Sequence, residues 1–399
     1  METKNSENRT NFFRNPLFLF SFIALITLVI TAQSLLLKPK FFDNSGISYT
    51  RYNNYVIFKQ SYFHLVENKD IFQLYPKEHW DYFKYSPTFA LFMAPLAYLP
   101  DALGLFFWNI LNASVLFFAL WKLPLPEERK KIFLFLFVVI ECITSMQNAQ
   151  SNGLMAGLII FAFNNLEKKQ VAIASLLIVC TVFIKIFGLV AFSLFLFYPN
   201  KIKAFLYALL WSTILYILPL LVVSMSQLNL LYASWYHLLQ NDHSASFGLS
   251  VAGWLHSWFG FDGKNIILVI GTVLFCLPFL KFRYFTNLKF KLYFLSFLLL
   301  WMVIFNHKAE SPTFVIATAG VSIWFFSQKI KLENLLLIIF AFVFTTMSPT
   351  DLFPKSIREI YMMPYVMKAV PCIFIWFKIT FDLLFYKESE IGEASIFTK

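Results

Sequence analysis

Apolar segments recur along the chain from residue 16 to residue 385 and are separated by polar connections. A membrane helix needs about 20 apolar residues to cross the hydrocarbon core. The pattern predicts an all-α integral membrane protein, a single polytopic domain over residues 1–399 with about twelve transmembrane helices. They are expected near residues 16–37, 102–121, 132–146, 154–166, 171–184, 186–199, 204–224, 265–282, 290–305, 312–327, 333–347 and 362–385.

Two predicted hairpins are shorter than the rest. Residues 132–166 and 171–199 are each a pair of short apolar runs around a polar tip, the first tip containing Gln147 and Gln150 and the second centred on Lys185. Such short runs favour tips below the outer membrane surface, where irregular backbone must line a wet or protein-walled cavity. Ordinary hairpins in a locally thinned bilayer are the alternative.

The hydrophilic residues collect in two long loops, about 38–101 and 225–263. In the first loop, apolar residues recur at helical spacing from Tyr55 to Val66, which predicts a helix lying flat at the membrane interface. The run from Ser86 to Leu99 is interrupted by two prolines and predicts a re-entrant or interfacial segment. A full span there would place the basic residues 129–131 outside.

Composition and charge agree with this topology. The chain is 59% hydrophobic and 14% charged, with a net charge of +11, whereas a soluble domain carries about 25% charged residues. Lys and Arg fall mainly in the connections on one side, which the positive-inside rule assigns to the cytoplasm. Both tails, 1–15 and 386–399, are therefore expected in the cytoplasm and both long loops outside the cell membrane. The positive-inside rule explains the net positive charge, so no nucleic-acid partner is expected.

The side chains with chemical potential gather on the predicted outer face. Ionisable residues at membrane depth are costly and usually functional. A carboxylate there can accept a proton from a hydroxyl group, and Lys or His can neutralise a phosphate. Solvated loop carboxylates and a snorkelling lysine are the alternatives. The candidates are Asp43, Asp81, Gln147, Gln150, Lys185, His243, His307, Lys308 and Glu310.

Several short segments between about residues 40 and 320 resemble glycosyltransferase family 87. Tyr85-Ser86-Pro87-Thr88-Phe89-Ala90 is similar to that family's Tyr-Pro-Pro-Phe-Ala. The tip from Gln147 to Asn152 is similar to its Gly-Gln-x-Asn hairpin, and Phe183-Ile184-Lys185 resembles its Ile-Lys-Pro. The stretch from His243 to Leu255 resembles its Asn-Gln-Ser loop. Asn306-His307-Lys308 falls where some members have a His pair.

This resemblance implies a GT-C-like architecture and an inverting hexosyltransferase. The implied donor is a polyprenyl-phosphate sugar, often mannose, and the implied acceptor is a lipid or glycan at the extracytoplasmic face. No cofactor and no metal are expected, and the sequence has no HExxH, paired DxD or Walker motif. Lys185 and His307 are expected to bind the donor phosphate.

The chain departs from the family pattern at one position. The family's first-loop Asp, its presumed base, falls at Asn54, whose neutral amide cannot accept a proton. Either Asp43 or Asp81 takes that role, or the chain is a catalytically inactive membrane scaffold. A transporter or flippase of lipid-linked substrates is a further alternative, because interrupted hydrophobic segments also occur in transporters. Long loops on only one side argue against alternating access.

Overall fold

The computed structural model describes residues 15–42, 46–125, 127–241 and 246–386. These residues are mostly helical, with very few in strands, as the all-α prediction requires. The strands among them are β1 (Lys40–Phe41) and β2 (Ser48–Tyr49), an antiparallel pair in which Lys40 faces Tyr49. The chain divides into two compact units. The first takes in the described residues of Met1–Ala119, Ile143–Leu189 and Ile202–His243, and the second those of Leu120–Cys142, Val190–Lys201 and Ser244–Lys399.

The first unit carries the described part of the first loop and the tips of both predicted short hairpins. Its helices are α1 (Pro16–Leu36), α2 (Asn53–Val66), α3 (Pro87–Phe92), α4 (Ala94–Ala97), α5 (Asp101–Trp121), α6 (Glu128–Gln147), α7 (Asn152–Glu167), α8 (Val171–Ile184), α9 (Lys201–Ile217) and α10 (Met225–Asn241). Helix α6 belongs to this unit only from Ile143 to its end, and α5 ends just beyond the unit's boundary at Ala119.

The second unit is built around two helices that are buried along almost their whole length, α13 (Leu288–Ile304) and α14 (Phe314–Phe326). They pack closely where Gly320 meets the Ser296 carbonyl, since an added Cβ would lie 2.9 Å from that oxygen. The other helices are α11 (Val251–Phe259), α12 (Lys264–Cys276), α15 (Leu332–Ala341), α16 (Lys355–Ile357) and α17 (Val370–Leu384).

Four helical runs of 21 residues are long and apolar enough to cross a membrane. At 1.5 Å per residue each spans about 30 Å, the thickness of the hydrocarbon core. They coincide with four predicted spans, and the chain is a helical membrane protein; the number twelve stays a prediction. The four runs are Pro16–Leu36, Asp101–Trp121, Lys201–Leu221 and Lys264–Tyr284.

The two predicted hairpins break where the sequence indicated. Helix α6 ends at Gln147 and α7 begins at Asn152, while α8 ends at Ile184, and a 3-10 helix over Ile186–Phe197 follows Lys185. Helix α8 has 14 residues, about 21 Å, so it is shorter than the hydrocarbon core. Helix α6 is longer than the predicted 132–146, because the basic residues before it are good helix formers and extend its first turn.

Helix α2 of the first loop is present and packs against α4 and α5. Tyr55 is completely buried, and its hydroxyl donates to the Leu96 carbonyl at 3.1 Å. The Lys59 ammonium forms an ion pair with Asp101 at 2.7 Å, where α5 begins. Gly104 leaves the room that the Tyr55 ring occupies. The helical periodicity therefore marked a buried face, and its depth relative to a membrane interface stays a prediction.

Candidate functional site

The amide tip, residues 147–153 between α6 and α7, is held in one conformation by its own backbone and by α5. The Gln150 N–H donates to the Ser145 carbonyl at 3.0 Å. The Trp108 indole N–H donates to the Ala149 carbonyl at 2.9 Å, and Ala149 adopts a positive φ of 48°. These contacts fix the directions in which the tip presents its side chains.

Lys185 lies against this tip. It ends α8 in an extended conformation (φ −143°, ψ 128°), which turns its side chain out of the helical path. Its ammonium donates to the Asn152 Oδ1 at 2.8 Å and to the Gln150 Oε1 at 3.3 Å. It also lies 5.7 Å from the centre of the Tyr85 ring and 5.8 Å from that of Phe187, within cation–π range. The sequence-predicted residues Gln150 and Lys185 therefore belong to one cluster.

The segment Tyr85-Ser86-Pro87 joins the same cluster. The Ser86 backbone N–H and hydroxyl both donate to the Phe183 carbonyl, at 3.3 and 2.6 Å. The Ser86 Oγ in turn accepts from the Phe89 N–H and caps α3, which begins with Pro87 at its first position. The Ser151 hydroxyl donates to the Tyr85 hydroxyl at 3.3 Å. Three segments spread over about 100 residues thus meet at the Lys185 ammonium.

Asn152 belongs to the same cluster, although spacing alone does not distinguish it from its neighbours in the tip. Only 1% of its surface is exposed, and its Oδ1 accepts from Lys185. Across the described part of the chain, its Nδ2 has no hydrogen-bond partner. A buried donor without an acceptor is rare in proteins and destabilising. The Asn152 Nδ2 is therefore a donor that the described residues leave unused at the Lys185 cluster.

Asn54 and Gln147 connect the amide tip to two other helices. The Asn54 Nδ2 donates to the Asn148 carbonyl at 2.8 Å, which connects the first turn of α2 to the tip. The Gln147 Nε2 donates to the Gln33 Oε1 at 3.1 Å, near the end of α1. Each side chain therefore makes a structural contact that connects the tip to another helix.

Asp81 lies in a tight turn of the first loop. Its φ is +77°, and its carboxylate accepts from the Tyr82 N–H at 2.7 Å and from the Lys84 ammonium at 3.2 Å. The side chain is 48% exposed, so its pair with Lys84 is open to solvent. Asp43 and His243 lie outside the described residues, and their assignments stay predictions.

Two buried histidines support the same loop. His64 hydrogen-bonds the Glu78 carboxylate through Nε2 at 2.9 Å and stacks on Tyr75 with ring centres 3.8 Å apart. The His79 Nδ1 lies 3.1 Å from the Asp81 carbonyl oxygen. Burial lowers the pKa of His64 despite the neighbouring carboxylate, and burial also lowers the pKa of His79. Both imidazoles are therefore neutral at neutral pH.

The second unit holds the other predicted cluster, the connection from Asn306 to Glu310. The Lys308 N–H donates to the Asn306 Oδ1 at 3.0 Å, and Glu310 is exposed where it caps the following turn with Thr313. The Leu249 N–H donates to the Ala309 carbonyl at 2.8 Å. Gly248 fits closely beside the His307 carbonyl, where an added Cβ would lie 2.4 Å away. The predicted second loop therefore contacts this connection.

A buried ion pair in the second unit was missed by the sequence analysis. The Lys368 ammonium donates to both carboxylate oxygens of Glu141 at 2.9 Å and to the Ser311 hydroxyl at 2.7 Å. Glu141 is fully buried. The available signal was a lysine inside the last predicted span, because such a residue needs a partner. Among the described residues, no three His, Cys, Asp or Glu side chains group as metal ligands would, and a metal-free reaction stays a prediction.

Comparison with known proteins adds one positive result. A family model described as Glycosyltransferase family 87 matches residues 83–349, about two thirds of the chain. The matched part includes the Tyr85 segment, the amide tip and Lys185, and it begins after Asn54 and Asp81. No curated protein matches the chain. The residues that converge on Lys185 are therefore those that the family match covers.

Proposed function

We propose, from the premise that the chain belongs to glycosyltransferase family 87, that this glycosyltransferase uses a polyprenyl-phosphate sugar as its donor. The transferred group is a hexose such as mannose, and the acceptor is a lipid or glycan hydroxyl. The reaction takes place at the extracytoplasmic face of the cell membrane. Both termini are cytoplasmic in this proposal, and the twelve predicted spans place the amide tip and Lys185 toward the outer leaflet.

The observation that carries the proposal is the convergence of the three family-like segments on the Lys185 ammonium. Ammonium groups bind phosphate oxygens through charge-assisted hydrogen bonds, which are about twice as strong as neutral ones. The amide oxygens that hold Lys185 are neutral, so these two contacts orient the cation without cancelling its charge. The aromatic ring of Tyr85 supplies a flat apolar wall beside it.

The chemistry proposed for this site is a single displacement. An acceptor hydroxyl oxygen attacks the anomeric carbon, and the bond from that carbon to the phosphate oxygen breaks with its electron pair. Negative charge increases on the leaving phosphate, and Lys185 stabilises it in a site of restricted solvent access. The acceptor proton passes to a carboxylate, for which Asp81 and Asp43 are the proposed candidates. His307, Lys308 and Glu310 are proposed as substrate-binding residues of the second unit.

The test is sugar transfer by purified protein in lipid nanodiscs. The probe is a polyprenyl-phosphate mannose labelled in the sugar, with membrane lipid extract as the acceptor, and the assay separates labelled product from donor. Lys185→Gln should lower the rate by roughly a hundredfold, the usual loss for one group that stabilises transition-state charge. Lys168→Gln, the same change at an exposed position between α7 and α8, should leave it unchanged.

Two results would contradict the proposal. Equal rates for both variants would show that Lys185 takes no part in the reaction. For protein reconstituted in closed vesicles, movement of the labelled lipid across the bilayer without any sugar transfer would favour the flippase alternative.

A further inference from the structure

We infer that Asn152 is a neutral phosphate-binding residue, and that it forms with the first turn of α7 the second half of the anion site beside Lys185. This inference rests on the proposed function, because it assigns a contact to the same donor. Its ligand is the phosphate group of a polyprenyl-phosphate lipid.

The orientation of the Asn152 amide follows from its partner. An ammonium group only donates hydrogen bonds, so the atom at 2.8 Å from the Lys185 Nζ must be the carbonyl oxygen. The Nδ2 is bonded to the same carbon and is therefore held at the cluster as well. It is buried and has no acceptor within the described chain. A donor in this position is suited to an oxygen that arrives with a ligand.

The backbone around Asn152 favours an anion too. Helix α7 has 16 residues and begins at Asn152, and the first N–H groups of a helix have no intrahelical partner. The preceding Ser151 makes no side-chain capping bond, since its hydroxyl donates to Tyr85 instead. The Leu154 N–H is satisfied by the Asn112 Oδ1 at 2.9 Å. The partial positive charge of this helix end attracts phosphate.

The neutrality of Asn152 is the property that can be tested. An aspartate has the same shape and would hold Lys185 through an ion pair, but it would replace the Nδ2 donor by an acceptor. It would also cancel the positive charge that a phosphate needs. Asn152 holds the cation, keeps its charge and adds a donor.

The experiment measures binding of a fluorescent polyprenyl monophosphate to the full-length protein in nanodiscs. The corresponding polyprenol, which lacks the phosphate, and inorganic phosphate as a competitor identify what is recognised. Asn152→Asp is compared with Gln150→Glu, which adds the same charge next to Lys185 without removing the Asn152 donor. Thermal unfolding without ligand is recorded for each variant, and Asn152→Ser replaces Asn152→Asp if the latter does not fold.

The expected result has two parts. Asn152→Asp should weaken binding of the lipid phosphate by roughly tenfold or more beyond the loss in Gln150→Glu, which is the usual effect of removing one hydrogen bond to a charged group. Its unfolding temperature should be unchanged or higher, because the ion pair replaces an unsatisfied donor. A residue with only a structural role would not lose affinity while keeping stability.

Three outcomes would overturn the inference. Equal losses in Asn152→Asp and Gln150→Glu would show that Asn152 makes no phosphate contact, and sugar transfer by the wild-type protein would still support the proposed function. Displacement of the lipid by millimolar inorganic phosphate would assign the site to free phosphate. Equal binding of polyprenol and polyprenyl phosphate by the wild-type protein would refute the proposed function and this inference together.

Discussion

Replacing Gly104 by alanine tests how helix α2 of the first loop is held against α4 and α5. A Cβ at this position of α5 would lie 1.7 Å from the Tyr55 hydroxyl oxygen, 2.8 Å from the ring carbon that carries it and 3.0 Å from the Leu96 carbonyl oxygen. Tyr55 is completely buried, and its hydroxyl is bonded to that same carbonyl. Moving the ring away from a new Cβ would therefore disturb this hydrogen bond and the buried packing around it.

Two effects of opposite sign determine the stability of Gly104→Ala. Alanine is the better helix former, which by itself stabilises by about 0.5–1 kcal/mol. Overpacking a well-packed site costs about 1–3 kcal/mol, and an approach of 1.7 Å lies at the severe end of such clashes. We expect a net destabilisation of about 1–2 kcal/mol, with faster hydrogen exchange in α2.

A double-mutant cycle separates the two effects. Tyr55→Phe removes the hydroxyl oxygen, so the nearest side-chain atom for the new Cβ becomes the ring carbon at 2.8 Å, which needs only a small shift. Gly104→Ala should therefore cost at least about 1 kcal/mol less in the Tyr55→Phe background, the coupling expected for residues in contact. Thermal unfolding in detergent and hydrogen exchange of residues 53–66 measure it. A Gly104→Ala protein that is more stable than wild type in both backgrounds would refute the steric argument.

Three further predictions concern topology, the base and pH. A cysteine placed at the exposed Gln73 should react with an impermeant thiol reagent in intact cells, whereas one at Lys130 should not; the reverse pattern would invert the proposed orientation. If a side-chain base acts, Asp81→Asn or Asp43→Asn should lower turnover by about 10²–10⁴-fold with donor binding intact. Normal turnover in both variants would exclude them. Burial lowers the pKa of His64, so in acid the unfolded loop binds a proton that the folded loop excludes. The stability of the folded loop should therefore decrease as the pH is lowered below about 6.5. Hydrogen exchange at pH 7.5 and 5.5 measures this loss, which His64→Gln should reduce.

Local signals in the sequence were enough to predict where helices begin and break. The spacing of Tyr55, Phe58, Tyr62 and Leu65 predicted α2, and all four side chains are buried. The polar run between two apolar segments predicted the amide tip between α6 and α7. These features depend on neighbouring residues, and hydrophobic periodicity reports them directly.

Contacts between distant residues were not predictable in the same way. Lys368 and Glu141 are 227 positions apart, and each lies within a mainly apolar segment. A charge buried in a membrane requires a partner, so the sequence indicates that each has one, but only tertiary packing decides which. Asn152 is a similar case, since its neighbours in the tip are also polar and only the position of Lys185 distinguishes it.

The substitution Asn54→Asp, which would introduce the family's aspartate, would also remove a structural contact. The Asn54 Nδ2 donates to the Asn148 carbonyl at 2.8 Å and connects α2 to the amide tip. An ionised aspartate has no N–H to donate, and its oxygen would face the carbonyl oxygen at this distance. The amide at this position and the conformation of the tip are therefore mutually dependent. If a carboxylate of the first loop serves as the base, it acts from another position, and Asp81 is one described carboxylate of this loop that is open to solvent.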